Sequence, residues 1–183
     1  MAKNYVYACV YSVDKQSFLV PRKKQVGYFF QWKRRTGQVL NFSGQDVLPG
    51  GGLKVGQTPL QGALIEFHEE TGVDISQVTI HQGTCEFEYL DDDGNKGKYY
   101  GVYFTVPNLT DLKDLRSDIN QNLELDVADK IRVVEDDELN NMEIYDAATA
   151  RQMLGTFVPG EAAAGYTGQT DKSWFIDILN NIP

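Results

Sequence analysis

The sequence predicts an α/β protein. Runs rich in valine, tyrosine and phenylalanine recur between turn residues, as strands do. One segment, 58–72, carries both the start and the stop signals of a helix. The chain has 183 residues, 42% hydrophobic and 23% charged, enough for one domain, 1–183, with a proper core.

The elements follow in order. Tyr5 to Val13 reads as a strand, Asp14-Lys15-Gln16 as a turn, and Ser17 to Pro21 as a second strand. Gly27 to Trp32 is aromatic, and Gln38 to Phe42 is a further strand candidate. Gln45 to Leu48 leads into the turn Gly50-Gly51-Gly52. The helix comes next. Thr58 suits the N-cap, Pro59 the first position, Gln61 completes a capping box, and Gly72 fits a left-handed end. Leu60, Ala63, Leu64 and Phe67 form its buried face. Val78 to Gln82 and Thr84 to Leu90 alternate as strands. Asp91 to Asn95 is a turn, and Lys98 to Val106 pairs back as a hairpin. Segment 107–130 is polar and reads as an insertion, with Leu109, Leu112, Leu115 and Ile119 marking a short amphipathic helix. Ile131 to Val134 reads as one more strand. Asp146 to Leu154 and Lys172 to Leu179 read as helices, the second capped by Thr170 or Asp171. Residues 158–183 form a C-terminal loop and helix.

Bulk charge excludes several functions. There are 26 acidic and 17 basic residues, a net charge of −9, which argues against nucleic-acid polymers and anionic membranes as partners. Cys9 and Cys85 sit in apolar runs and read as reduced core thiols. No stretch approaches the roughly 18 apolar residues of a membrane span, and no signal peptide is visible at the N-terminus. A cytoplasmic protein is expected, with room for a homodimer. The sequence shows no Ser/His/Asp triad, zinc spacing or P-loop.

The chemistry concentrates on the predicted helix. Glu66, Glu69 and Glu70 stand at i, i+3 and i+4, so three carboxylates share one stripe. Like charges at that spacing destabilise a helix by a few tenths of a kcal/mol per pair. A solvated acidic face is one reading. A hard divalent cation, which prefers oxygen ligands and brings phosphate with it, is the other.

Residues 51–73, GGLKVGQTPLQGALIEFHEETGV, resemble the Nudix box, G-x5-E-x7-R-E-U-x-E-E-x-G-U with U apolar. The preceding Leu48 to Gly52, LPGGG, is typical of that family too. The three helix glutamates fall on Glu66, Glu69 and Glu70, the apolar positions on Phe67 and Val73, and the second glycine on Gly72. Two positions depart: Gln57 replaces the first glutamate, and Ile65 replaces the arginine that orients the catalytic glutamates in the family.

The resemblance implies an α/β/α sandwich with a mixed sheet. It implies a metal-dependent pyrophosphohydrolase that splits a diphosphate in a nucleoside diphosphate derivative. Mg²⁺ or Mn²⁺ would be held by Gly51, Glu66, Glu69 and Glu70. Glu69 or the loop residue Glu135 would serve as base, with Glu138 second to Glu135. Arg22, Arg34 and Arg35, in basic patches with Lys23, Lys24 and Lys33, are candidates for substrate phosphates. Tyr28, Phe29, Phe30 and Trp32 are strand core or a base-stacking surface. The departures at Gln57 and Ile65 keep an alternative open: a weak or inactive Nudix-fold module that binds a nucleotide or sugar nucleotide as a sensor.

Overall fold

The structure, a computed structural model, describes residues 3–29, 34–91 and 93–183, and for 34–36 the backbone alone. Its strands are β1 (Tyr5–Ser12), β2 (Ser17–Phe29), β3 (Arg34–Val39), β4 (Gly50–Gly52), β5 (Ile80–Leu90), β6 (Lys96–Val106) and β7 (Asp136–Asp146). They form one sheet in the order β3-β2-β1-β6-β5, with β4 on β1 and β7 on β2. β1 and β6 run parallel and the other pairs antiparallel, so the sheet is mixed.

Strand alternation sorts the core into two layers. Val6, Ala8 and Val10 of β1 face helices α1 (Pro59–Thr71) and α2 (Leu109–Glu124). Cys9 and Tyr11 face the opposite way, onto α4 (Ala147–Gly155) and α5 (Ser173–Asn180). A short helix, α3 (Val127–Lys130), follows α2. The result is the expected α/β/α sandwich.

Several local expectations change. Ser17 to Pro21 and the aromatic run after Gly27 belong largely to one strand of 13 residues, β2. The charged stretch between them stays in the sheet because the β2–β7 register shifts at Arg22/Lys23 and again before Tyr28. Val78 to Gln82 and Thr84 to Leu90 likewise merge, from Ile80 on, into β5, with an irregularity at His81/Gly83, while the N–H groups of Val78 and Thr79 turn back to the Ile75 carbonyl. Segment 107–130 holds a helix of 16 residues rather than a short one. Its Leu112, Leu115, Ile119 and Leu123 are buried in the first layer. Asn120 also donates to the Met142 carbonyl at 3.0 Å and accepts from the Met142 N–H at 2.8 Å, tying α2 to β7. Ile131 to Val134 is not a strand. Asp126 caps α3, and the N–H groups of Arg132, Val133 and Val134 turn back to Asp129 and Lys130 carbonyls. The start of α5 has Lys172 at its cap, although Asp171 still accepts from the Ser173 N–H at 2.9 Å.

Candidate active site

The helix signals operate as read. The Thr58 side chain accepts from the Gln61 N–H, Gln61 returns the bond, and Gly72 ends the helix at φ 72°. Upstream, β4 lays the glycine run along β1, with Gly50 opposite Tyr7 and Gly51 opposite Val6. Gly50 leaves no room for a side chain, and Gly51 leaves room for the Glu66 carboxylate where it stands. A Cβ on Gly50 would fall 2.1 Å from the Val6 carbonyl oxygen, and one on Gly51 would fall 2.2 Å from Glu66 Oε2. The glycine backbone and the helix carboxylates therefore share one wall.

That wall borders a cavity of about 290 Å³. Gly51, Glu66 and Glu70 line it from one side, and Asp136 and Glu138 of β7 from the other. Lys23 reaches in from β2 and pairs with Glu138. Period-two alternation explains the β7 contribution. Asp136 and Glu138 point to the cavity, while Asp137 turns away to Lys24 at 2.6 Å and Lys130 at 3.4 Å.

The electrostatics are those of crowded carboxylates. Glu70 is only 3% exposed, and its Oε2 is buried with no hydrogen-bond partner. Burial holds Glu70 well above the usual carboxylate range, with Lys23 opposing. Burial and then Glu69 push Glu66 up to about 7, with Lys54 opposing. Burial, Glu138 and Glu69 push Asp136 to about 7 as well. Burial pulls Lys23 down, but Glu138, Glu70 and Glu66 outweigh it, and its value rises.

The expected site residues divide into groups. Gly51, Glu66 and Glu70 come together. Glu69 stands at the edge, paired with Lys54 at 3.3 Å. Glu135 does not line the cavity; its N–H donates to the Glu69 carbonyl at 2.9 Å, and the next residue, Asp136, takes the place foreseen for it. Arg22 faces elsewhere, pairing with Glu161 at 3.0 Å and lining a different cavity with Gln45 and Met153. The side chains of Arg34 and Arg35 lie outside the described residues, as do Phe30, Trp32 and Lys33. The departures from the box also find a place. Gln57 Oε1 accepts from the Lys54 N–H at 3.0 Å and braces the loop, and Ile65 is 37% exposed.

A family description of the NUDIX domain matches residues 2–154. The chain belongs to the Nudix family. The Nudix assignment agrees with the solved structures it resembles. A C. elegans Ap4A hydrolase has 12% identity and a TM-score of 0.52, with 98% of this chain and 93% of that one covered. A NUDIX hydrolase from Nitrosomonas europaea has 12% identity and a TM-score of 0.51, with coverages of 98% and 89%. A Nudix hydrolase from M. smegmatis has 14% identity and a TM-score of 0.51, with coverages of 100% and 88%. At such identities the likeness concerns the fold. No curated protein matches the chain. No helix among the described residues is long and apolar enough to cross a membrane.

The Nudix site suits a hard divalent cation by its donor chemistry. Carboxylates forced together, one with an orphaned oxygen, are relieved by a positive ion. Among the described residues, no three acidic, histidine or cysteine side chains already converge on one coordination point.

Proposed function

We propose that this Nudix protein is a metal-dependent hydrolase that splits a diphosphate linkage in a nucleoside diphosphate derivative. The buried, unpartnered Glu70 Oε2 in a cavity shared with Glu66, Asp136 and Glu138 carries the reading. Gly51, Glu66 and Glu70 would hold Mg²⁺ or Mn²⁺, with Glu69 beside them. When bound, the ion neutralises phosphate charge and makes a water more acidic. Lys23 offers a positive charge to the diphosphate from β2. Asp136 is the group we assign as base: it reaches the cavity from β7 beside Glu66 and Glu70, and Glu138 is already tied to Lys23.

A second reading, a sensor that binds without turnover, is favoured by Gln57 and Ile65. A panel of nucleoside diphosphate derivatives, assayed with Mg²⁺ and with Mn²⁺ for phosphate-group release, separates the two. Turnover on any member supports the hydrolase. Saturable binding with no turnover across the panel supports the sensor.

A further inference from the structure

A second cavity, of about 320 Å³, adjoins the carboxylate site. The two share Tyr5, Tyr7 and Asn41 in their linings. The volume lies at the lower end of the roughly 300–1,000 Å³ usual for small-molecule sites. Tyr89, Tyr99 and Trp174 complete an aromatic lining. These rings are held in place. The Tyr99 hydroxyl donates to Asp177 at 2.8 Å, and the Tyr89 hydroxyl donates to the Lys3 carbonyl at 2.5 Å. Trp174 packs against Tyr99 with centroids 6.3 Å apart and edge-on to Phe42 at 5.3 Å.

The polar lining has one sign of charge. Asp171 and Glu88 contribute carboxylates, Glu88 pairing with Lys96 at 3.5 Å, and no lysine, arginine or histidine lines the cavity among the described residues. Asp171 is itself anchored, with one oxygen accepting from the Ser173 N–H at 2.9 Å and the other from the Ser173 hydroxyl at 3.2 Å. Each oxygen keeps acceptor capacity for a ligand. Gln169, Asp171, Ser173 and Trp174 all come from beyond residue 154, where the family match ends. This wall lies past the residues that the family description matches.

The geometry points to this cavity as the seat of an amino-bearing nucleobase, with the attached diphosphate extending past Tyr5 and Tyr7 to Glu66 and Glu70. The diphosphate end rests on the hydrolase reading; the base end rests on this cavity alone. Aromatic faces accept any base by stacking. A carboxylate only accepts hydrogen bonds, so it favours the exocyclic amines of adenine, cytosine and guanine. Uracil has no exocyclic amine and offers Asp171 only its ring N3–H. Phosphate is turned away by the same charge, which fixes the direction of the ligand.

Binding of adenosine, cytidine and uridine, followed by tryptophan fluorescence and calorimetry without metal, tests this. Adenosine and cytidine should bind at least about tenfold tighter than uridine, the scale of one hydrogen bond to a charged group. Asp171→Asn keeps an acceptor for the Ser173 N–H but can turn a donor to the ligand. It should narrow the preference to within about threefold. Trp174→Phe, checked for fold by circular dichroism, should weaken all three nucleosides together. Equal affinities, no binding, or a preference untouched by Asp171→Asn overturns the proposal. If the ranking holds and no nucleoside diphosphate is split, the hydrolase reading fails and the cavity assignment stands. If diphosphates are split with no ranking among bases, the cavity assignment fails alone.

Discussion

Glu70 is the residue on which the site turns. A buried oxygen without a partner costs roughly 1–3 kcal/mol, and a bound cation offsets that cost. Glu70→Gln should therefore lower Mn²⁺ affinity more than about tenfold in calorimetry, while the metal-free melting temperature stays level or rises. Unchanged affinity would remove Glu70 from the metal site. Lys54 is the second informative residue. Ile65 provides no cation to the glutamate stripe, and Lys54 provides one from the preceding loop, at 3.3 Å from Glu69. Lys54→Gln should slow turnover about tenfold, and adding Ile65→Arg to that variant should restore part of the loss. Steady-state kinetics on the best substrate of the panel checks both. The cap residues Thr58, Gln61 and Gly72 were legible because their bonds are local in sequence. Lys54 was not: its partner stands 15 residues away, on a helix whose rotation only the fold sets.

At the scale of elements, β7 was the least legible, and α2 was legible in its position but not in its length. Glu135 to Glu138 resembles a solvated turn by composition. Inside a strand the same residues alternate, and Asp136 and Glu138 reach the cavity while Asp137 is neutralised behind the sheet. Alternation is hidden in Asp136–Asp146, because 136–138 are all acidic and the register shifts between Leu139 and Asn141. Ile131 to Val134 shows the opposite error. Its apolar residues suggested a strand, but backbone bonds to Asp129 and Lys130 bend it into a turn. In α2 the marked Leu112, Leu115 and Ile119 are buried together with Leu123, while the marked Leu109 is exposed. Leu112 has no exposed surface, so Leu112→Ala should cost about 2–5 kcal/mol in denaturant unfolding. A peripheral insertion would lose well under about 1 kcal/mol.

For the whole molecule, the carboxylate cluster links stability, pH and metal. Glu66 and Asp136 rise to about 7 in the folded chain. Their unfolded values are about 4. Between these limits the folded state holds more protons, so the cluster's contribution to stability falls as pH rises from about 4 to about 7. Melting in a chelator should show this decline. Added Mg²⁺ should raise the melting temperature more at pH 8 than at pH 6, because it binds the ionised form. An equal rise at both would separate metal binding from these carboxylates. The two cavities extend this picture across the sandwich. The glycine run, α1 and β7 build the carboxylate site, and β1, β5, β6 and the C-terminal segment wall the aromatic one. The sharpest measurement is phosphorus NMR of a nucleoside diphosphate derivative in oxygen-18 water with Mg²⁺. Hydrolysis at this site predicts that one product phosphate gains a single heavy oxygen per turnover, and that Glu70→Gln and a chelator each abolish the signal. A derivative that binds but stays intact with every metal, or cleavage that survives Glu70→Gln, would contradict it.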